Sequence, residues 1–436
     1  MATPFSYLRP SCARHWVIVF AVTLSIITYI DRVCIAKTEG EIRAALGLTK
    51  TQMGLAFSAF AWGYALFEIP GGWLGDWLGP RRVLMRIVIW WSVFTAATGY
   101  AWSLMSLWVI RFLFGAGEAG CFPNLTKSFT TWLPQDERVR AQGIMWMSAR
   151  FGGAFTPLLV YWVLQYMDWR HAFVLFGAVG VVWAIFFYWW YRDNPRDHKS
   201  VNAAELALLK GAEETASGHG NVPWGKVIRS RTVWGLWVQY FAVSYPWYFY
   251  ITWILTYLGE YRGVTAGRAA TYAVFPLLFG GIGCFLSGII TPRIARRMGD
   301  VARARRLVAM AGASGAAALM FAHTQIPDPL VGMLVMGLAS FANDIIMPCS
   351  WGACMDVGGK YAGTLSGSMN MMGNLAGGLA PFVFGMVLDM ARRPGVAPSF
   401  TDALPNFYIM AGIYVVAALS WLIIDPVTPL EEQVKS

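Results

Sequence analysis

Apolar residues run along this chain in long blocks joined by short polar connections. A spanning helix needs about 20 predominantly apolar residues, and on that measure about twelve segments qualify. They centre near Leu24, Ala61, Phe94, Phe114, Gly152, Gly180, Tyr248, Phe279, Gly312, Phe341, Gly373 and Val415. The first has no small-residue cleavage site and is long enough to span, so it reads as a helix and not as a cleaved signal peptide. The longest polar stretch, YRDNPRDHKSVNAAELALLKGAEETASGHGNVPWGKVIRSR, separates the sixth segment from the seventh. It holds an Ala/Glu/Leu helical patch followed by a Gly-containing break. The expected fold is therefore all-α and polytopic, six helices plus six, with residues 1–191, a central loop at 192–232, and residues 233–436 as its parts.

Composition agrees: 57% of the residues are hydrophobic and 13% charged, outside the range of ordinary soluble proteins. The formal charge of +10 raises nucleic acid as a partner, but the basic residues sit in short loops and not on one amphipathic face. They cluster at Arg81, Arg82 and Arg86, at Arg138 and Arg140, in the central stretch, and between Arg293 and Arg306. By the positive-inside rule both termini and the central loop face the cytoplasm, and no nucleic acid is expected. The six Cys form no CxxC pair, and most lie in apolar segments, where they read as small helix packers.

Charge inside the apolar segments changes the picture. LWVIRFLFGAGEAGCF carries Arg111 and Glu118, Asp31 and Arg32 stand near the end of the first segment, and Arg150 lies within the fifth. A charge at the centre of a spanning helix costs roughly 2.5 to 3.5 kcal/mol, so several together imply a polar cavity. Arg111 and Glu118 lie near one helix face about two turns, ~10 Å, apart. A permanently charged arginine can grip a carboxylate with two parallel bonds, and a buried carboxyl beside it can exchange a proton. For Asp31 and Arg111 a fixed internal salt-bridge network is the competing reading. Arg150 either selects a second anionic group on the substrate or neutralises Glu118 or Glu68.

The loop GGWLGDWLGPRRV resembles the signature loop of the major facilitator superfamily at Gly72, Asp76, Gly79, Arg81 and Arg82. Gly288, Pro292, Ala295 and Arg297 repeat its offsets after the eighth segment. The echo fits two pseudo-symmetric six-helix bundles. Asp76, Arg81 and Arg82 are the candidate gate, with Asp76 set to pair with a loop arginine or a helix end across the interface.

YIDR, GYALFEIPGGWLGD, RFLFGAGEAGCFP, NDIIMPCSWGACMD and GTLSGSMNMMGNLAG together resemble a narrower group, the anion:cation symporters. That resemblance implies anion binding and proton coupling at Asp31, Arg32, Arg111 and Glu118. Glu68 departs from the glutamine expected at its position and adds a titratable group. Tyr29, Tyr64, Ser350, Trp351, Asn370 and Asn374 complete the expected pocket, whereas the WYFYITW run around Tyr248 reads as packing. The implied activity is import of an organic anion by proton symport and alternating access, a sugar acid first, through a monomer in a bacterial inner membrane. The alternatives are an aromatic carboxylate, phosphorylated metabolite or drug-like substrate carried by exchange, a transporter-like sensor, and a membrane enzyme. An enzyme is disfavoured, since no metal-ligand cluster or nucleophile–base motif appears; neither cofactor nor metal is expected.

Overall fold

The computed structural model describes residues 10–48, 50–209, 222–391 and 397–432. Among them lie twelve long helices and no strand. They are α1 (Ala13–Lys37), α2 (Lys50–Leu78), α3 (Pro80–Thr98), α4 (Leu104–Glu118 with Cys121–Trp132), α5 (Gln135–Val163) and α6 (Trp169–Trp190) in the first half. The second half has α7 (Arg231–Thr252), α8 (Val274–Met298), α9 (Val301–His323), α10 (Pro329–Gly358), α11 (Ala362–Ala391) and α12 (Phe400–Ser420). Each expected segment centre falls inside one of these. By length and hydropathy alone 7 stretches qualify as spans. The difference arises because residues 329–388 run as one apolar stretch through two helices, and because helices such as α2 and α5 carry more polar side chains than that measure tolerates.

Short connections hold the helices in antiparallel order, and their ends are capped from the sequence. Asp168, Asp300 and Asp328 each accept a bond from the backbone N–H three residues on, at 2.8–2.9 Å, which satisfies a donor that the helix start leaves free. In the central loop the helical patch appears as Ala203–Leu208; the Gly-containing break lies outside the described residues.

Helix packing repeats between the halves. In the first, α1 packs on α5, α2 on α4 and α3 on α6; in the second, α7 packs on α11, α8 on α10 and α9 on α12. Each pairing recurs six helices later. The halves meet along α2–α11 and α5–α8, which the same relation interchanges. Glycine permits both close approaches. A Cβ on Gly72 would strike the Gly363 carbonyl, and one on Gly143 would lie 2.6 Å from the Cys284 carbonyl and 3.0 Å from the Gly288 Cα. Gly72 and Gly288, matched by offset in the sequence, thus do the same work in the two halves.

The rim is apolar, with Trp62, Leu66, Phe186 and Trp189 among many exposed large side chains, as lipid contact requires. Both described ends share one face. Ser11 bonds to Asn202 and Glu205 of the central loop, and the Leu430 N–H donates to the Val357 carbonyl at the end of α10. We call this the terminal face.

Candidate functional site

Where the helices of the two halves converge they line a cavity of about 70 Å³. Tyr29, Arg32, Tyr64 and Arg150 line it from the first half, and Trp247, Tyr248, Asn343, Asn370 and Asn374 from the second.

Arg32 comes to this wall with its Nε donating to the Glu118 carboxylate. Its guanidinium lies 4.7 Å from the Tyr64 ring centroid, and its Nη2 has no hydrogen-bond partner among the described residues. Glu118 can face α1 because α4 breaks immediately after it. Gly120 has φ 85°, a left-handed conformation that glycine adopts without penalty, and α4 restarts at Cys121. One guanidinium edge is thus held by an acid, while the buried Nη2 carries a donor still to be satisfied beside the cavity that Arg32 lines.

Arg150 is held more firmly. Its Nε and Nη2 donate to the two oxygens of Asp344 at 2.8 and 3.2 Å, its Nη1 is 3.5 Å from the Tyr29 hydroxyl, and its plane lies 3.4 Å from the Trp247 ring centroid. Of the two readings left open for Arg150, neutralisation by Glu118 or Glu68 is therefore incorrect: the partner is Asp344 of α10, 194 residues away. Asp344 was missed although it obeys the rule that found Arg150, a charge in an apolar segment. Glu68 is instead buried against α11, accepting from Asn370 Nδ2 at 2.9 Å, and Asn370 also reaches the Tyr64 hydroxyl at 3.5 Å.

Three expected contacts do not reach the cavity. Arg111 is 2% exposed, with its guanidinium 4.3 Å from the Phe114 ring centroid; it sits behind the site within electrostatic reach of Asp31. Ser350 donates to Gln239 and Trp351 to the Tyr240 hydroxyl, at 3.2 and 3.1 Å, so both lie behind the wall. Asp31 is also buried, beside the Trp91 indole and within electrostatic reach of Arg111. Two residues of the run read as packing also line the cavity: Trp247 lies over Arg150, and the Tyr248 hydroxyl donates to Asn374 Oδ1 at 3.0 Å.

Towards the terminal face the halves are clasped twice. Asp76 accepts from the backbone N–H groups of Gly363 and Thr364 and from the Thr364 hydroxyl at 3.0, 2.6 and 2.7 Å, with Lys127 Nζ at 3.4 Å. The partner is thus a helix end across the interface, where the N-terminal backbone of α11 favours an anion. Arg81 takes no part: it bonds to the Tyr188 carbonyl and Asp193 within its own half, and Arg82 is exposed. The second clasp was not foreseen. Asp356 of α10 accepts from Arg138 and from Gln135 of the first half, and pairs with Arg305 at 2.7 Å.

Two helical bundles repeated about a shared charged cavity, clasped on one side of it and coated with apolar side chains, define a multi-pass membrane transporter. Residues 17–381 match the family model of the Major Facilitator Superfamily, and the chain belongs to that superfamily. It is 35% identical to a probable sulfoacetate transporter, SauU, of Cupriavidus necator, over 96% of this chain and 95% of that one. A D-galactonate transporter of Escherichia coli is 30% identical over 97% and 98%, and a hexuronate transporter of Bacillus subtilis 26% over 93% of each. Among solved structures, the proton:xylose symporter XylE aligns with a TM-score of 0.74 over 93% of this chain and 94% of its own, at 14% identity. The E. coli fucose:proton symporter FucP aligns at 0.66 over 94% and 98%, with 17% identity. These likenesses agree with the fold, and neither the family nor the relatives are enzymes.

Proposed function

We propose that the protein imports a small organic anion together with protons, the two halves, residues 1–191 and 233–436, rocking about the cavity. The observation that carries this reading is the pair of guanidinium groups, Arg32 and Arg150, on the wall of one cavity between the two halves. Arg32 takes the substrate carboxylate with donors that Glu118 leaves unused, and Tyr29, Tyr64, Asn370 and Asn374 bond to hydroxyls. The arriving anion competes with Glu118 for Arg32. A buried carboxylate that loses its counter-ion is costly, and taking up a proton removes the cost. Glu118 is therefore the primary coupling acid, with Asp31 and Glu68 behind it. Galactonate, hexuronate and glucarate carriers among the relatives support a sugar acid as substrate. A short sulfonated carboxylate is the second reading, favoured by the 35% identical relative and by the small cavity. The basic loops support a terminal face in the cytoplasm of a bacterial cell, with a monomer as the working unit. Uptake into proteoliposomes under an inward proton gradient tests the proposal. Galactonate, glucarate, glucuronate or sulfoacetate is expected to accumulate above its external concentration; failure of all four to enter would overturn it.

The clasp at Asp76 is the gate of this cycle. Asp76→Ala leaves Lys127, two backbone N–H groups and the Thr364 hydroxyl without their common acceptor. Removing one partner of a buried charged network costs about 3–5 kcal/mol, enough to shift a two-state balance by about a hundredfold or more. Spin labels across the α2–α11 seam on the terminal face are expected to report a separated population, with slower turnover and little change in affinity at the cavity. Unchanged distances and turnover would remove Asp76 from the gate.

A further inference from the structure

Three arginines in the middle of the bundle, Arg32, Arg111 and Arg150, face four buried acids, Asp31, Glu68, Glu118 and Asp344. Asp344 differs from the other three in standing on the second half of the molecule. It is fully buried, and Arg150 is its ion-pair partner across the interface. The titratable groups within electrostatic reach of it are Arg150 from α5, Cys284 from α8, Tyr250 from α7 and Tyr414 from α12; Tyr29 of α1 reaches Arg150 itself. Gly280 of α8 makes room for the carboxylate, because a Cβ there would meet Asp344 Oδ2. Arg150 therefore offers the cavity a cation already neutralised from behind. An anionic group that takes its guanidinium must draw it away from Asp344.

The neighbouring side chain is equipped for the result. Asn343 lines the cavity and donates from Nδ2 to Asp344 Oδ1 at 2.9 Å, while its own Oδ1 is buried with no hydrogen-bond partner among the described residues. A protonated Asp344 gains an O–H donor, and a half-turn of the Asn343 amide brings that spare acceptor to it. The polar surroundings thus satisfy Asp344 both ionised on Arg150 and neutral on Asn343.

We infer that Asp344 accepts a second proton when a second anionic group of the substrate takes Arg150, so that the carrier binds one proton per negative charge on its cargo. The inference rests on the reading of the cavity as an organic-anion site. A dianion engages Arg32 and Arg150, and the two acids it displaces, Glu118 and Asp344, each form an O–H bond with a proton from the aqueous phase on the open side. A monoanion engages Arg32, leaves the Arg150–Asp344 pair closed and takes up a single proton. The buried site stays electrically balanced in both cases, which the cost of an unpaired buried charge demands.

Calorimetric titration of the purified protein across a pH series tests this with a matched pair of probes. They are sulfoacetate, a dianion, and methylsulfonylacetate, in which a methyl group replaces one sulfonate oxygen and its charge; galactarate and galactonate form a second pair. Linkage makes each proton taken up with the ligand worth about tenfold in Kd per pH unit while its acceptor is ionised in the free protein. In the wild type, the Kd of each dianion is expected to rise about a hundredfold per pH unit and that of each monoanion about tenfold. In Asp344→Asn, where the amide imitates the neutral acid, the dianion slope is expected to fall to about tenfold. Asp344→Glu restores an acid and with it the steep slope, which guards against a fold defect in the amide variant. A hundredfold dianion slope that persists in Asp344→Asn, or a tenfold dianion slope in the wild type, would overturn the inference. Wild-type protein that binds none of the four probes would instead overturn the anion-carrier reading, and this inference with it.

Discussion

Arg32→Lys is expected to weaken anion binding by about tenfold to a hundredfold, and Arg32→Ala to abolish uptake. Arg32 lines the cavity and meets Glu118 through Nε, while its buried Nη2 has no hydrogen-bond partner among the described residues. It can hold an internal acid and an external anion at once because its donors point in fixed, different directions in one plane. Lysine keeps the charge but concentrates it at one flexible point, so its ammonium must choose between Glu118 and the substrate. A charge-assisted hydrogen bond lost in this way is worth about 1.5–3 kcal/mol, which sets the range quoted for the lysine variant. The alanine variant loses the clamp altogether. It also leaves Glu118, fully buried, without its counter-ion, so that Glu118 stays protonated and substrate no longer drives proton exchange. Binding by calorimetry and uptake in proteoliposomes check the two variants. Wild-type affinity in a well-folded alanine variant would take Arg32 out of the site.

The sequence made the class and the chemistry legible to different depths. Twelve apolar blocks with basic loops predict a polytopic helical bundle, because the bilayer imposes one length and one polarity on every spanning segment. Charges within those blocks stand near one another for the same reason: Arg32 and Arg150 line one cavity, and Glu118 and Glu68 are buried close by, on Arg32 and on Asn370. Their partners were not legible. Arg32 and Glu118 are 86 residues apart, and Arg150 and Asp344 are 194 apart, so each pairing is decided by how helices pack and not by local spacing. Helix faces were hidden where burial is uniform. From Ala342 to Gly358 nearly every α10 side chain is buried, so no periodicity distinguished Asn343, which lines the cavity, from Ser350 and Trp351, which lie behind it. The break in α4 is not visible in GAGEAG, which lies within one apolar segment; the left-handed Gly120 shows that the helix ends at Glu118.

Glu118→Gln is expected to separate binding from coupling. In the wild type the ionised Glu118 occupies part of Arg32, so an anion must displace it, and protonation as the pH falls removes that competitor. Affinity for a monoanion is therefore expected to strengthen on acidification, by about tenfold per pH unit over the range in which free Glu118 is ionised. Glutamine cannot release or bind the proton, yet its amide oxygen still accepts from Arg32 Nε and keeps the guanidinium in place. The variant should bind the anion with little dependence on pH and exchange internal for external substrate at a rate near that of the wild type. It should also fail to concentrate substrate under an inward proton gradient, because the two movements are no longer tied through one acid. The exchange assay also tests for damage to the fold, since a misfolded carrier loses exchange and accumulation together. Accumulation by Glu118→Gln to the wild-type level would assign the coupling proton to another acid, of which Asp31, buried beside Trp91 and within reach of Arg111, is the next to test.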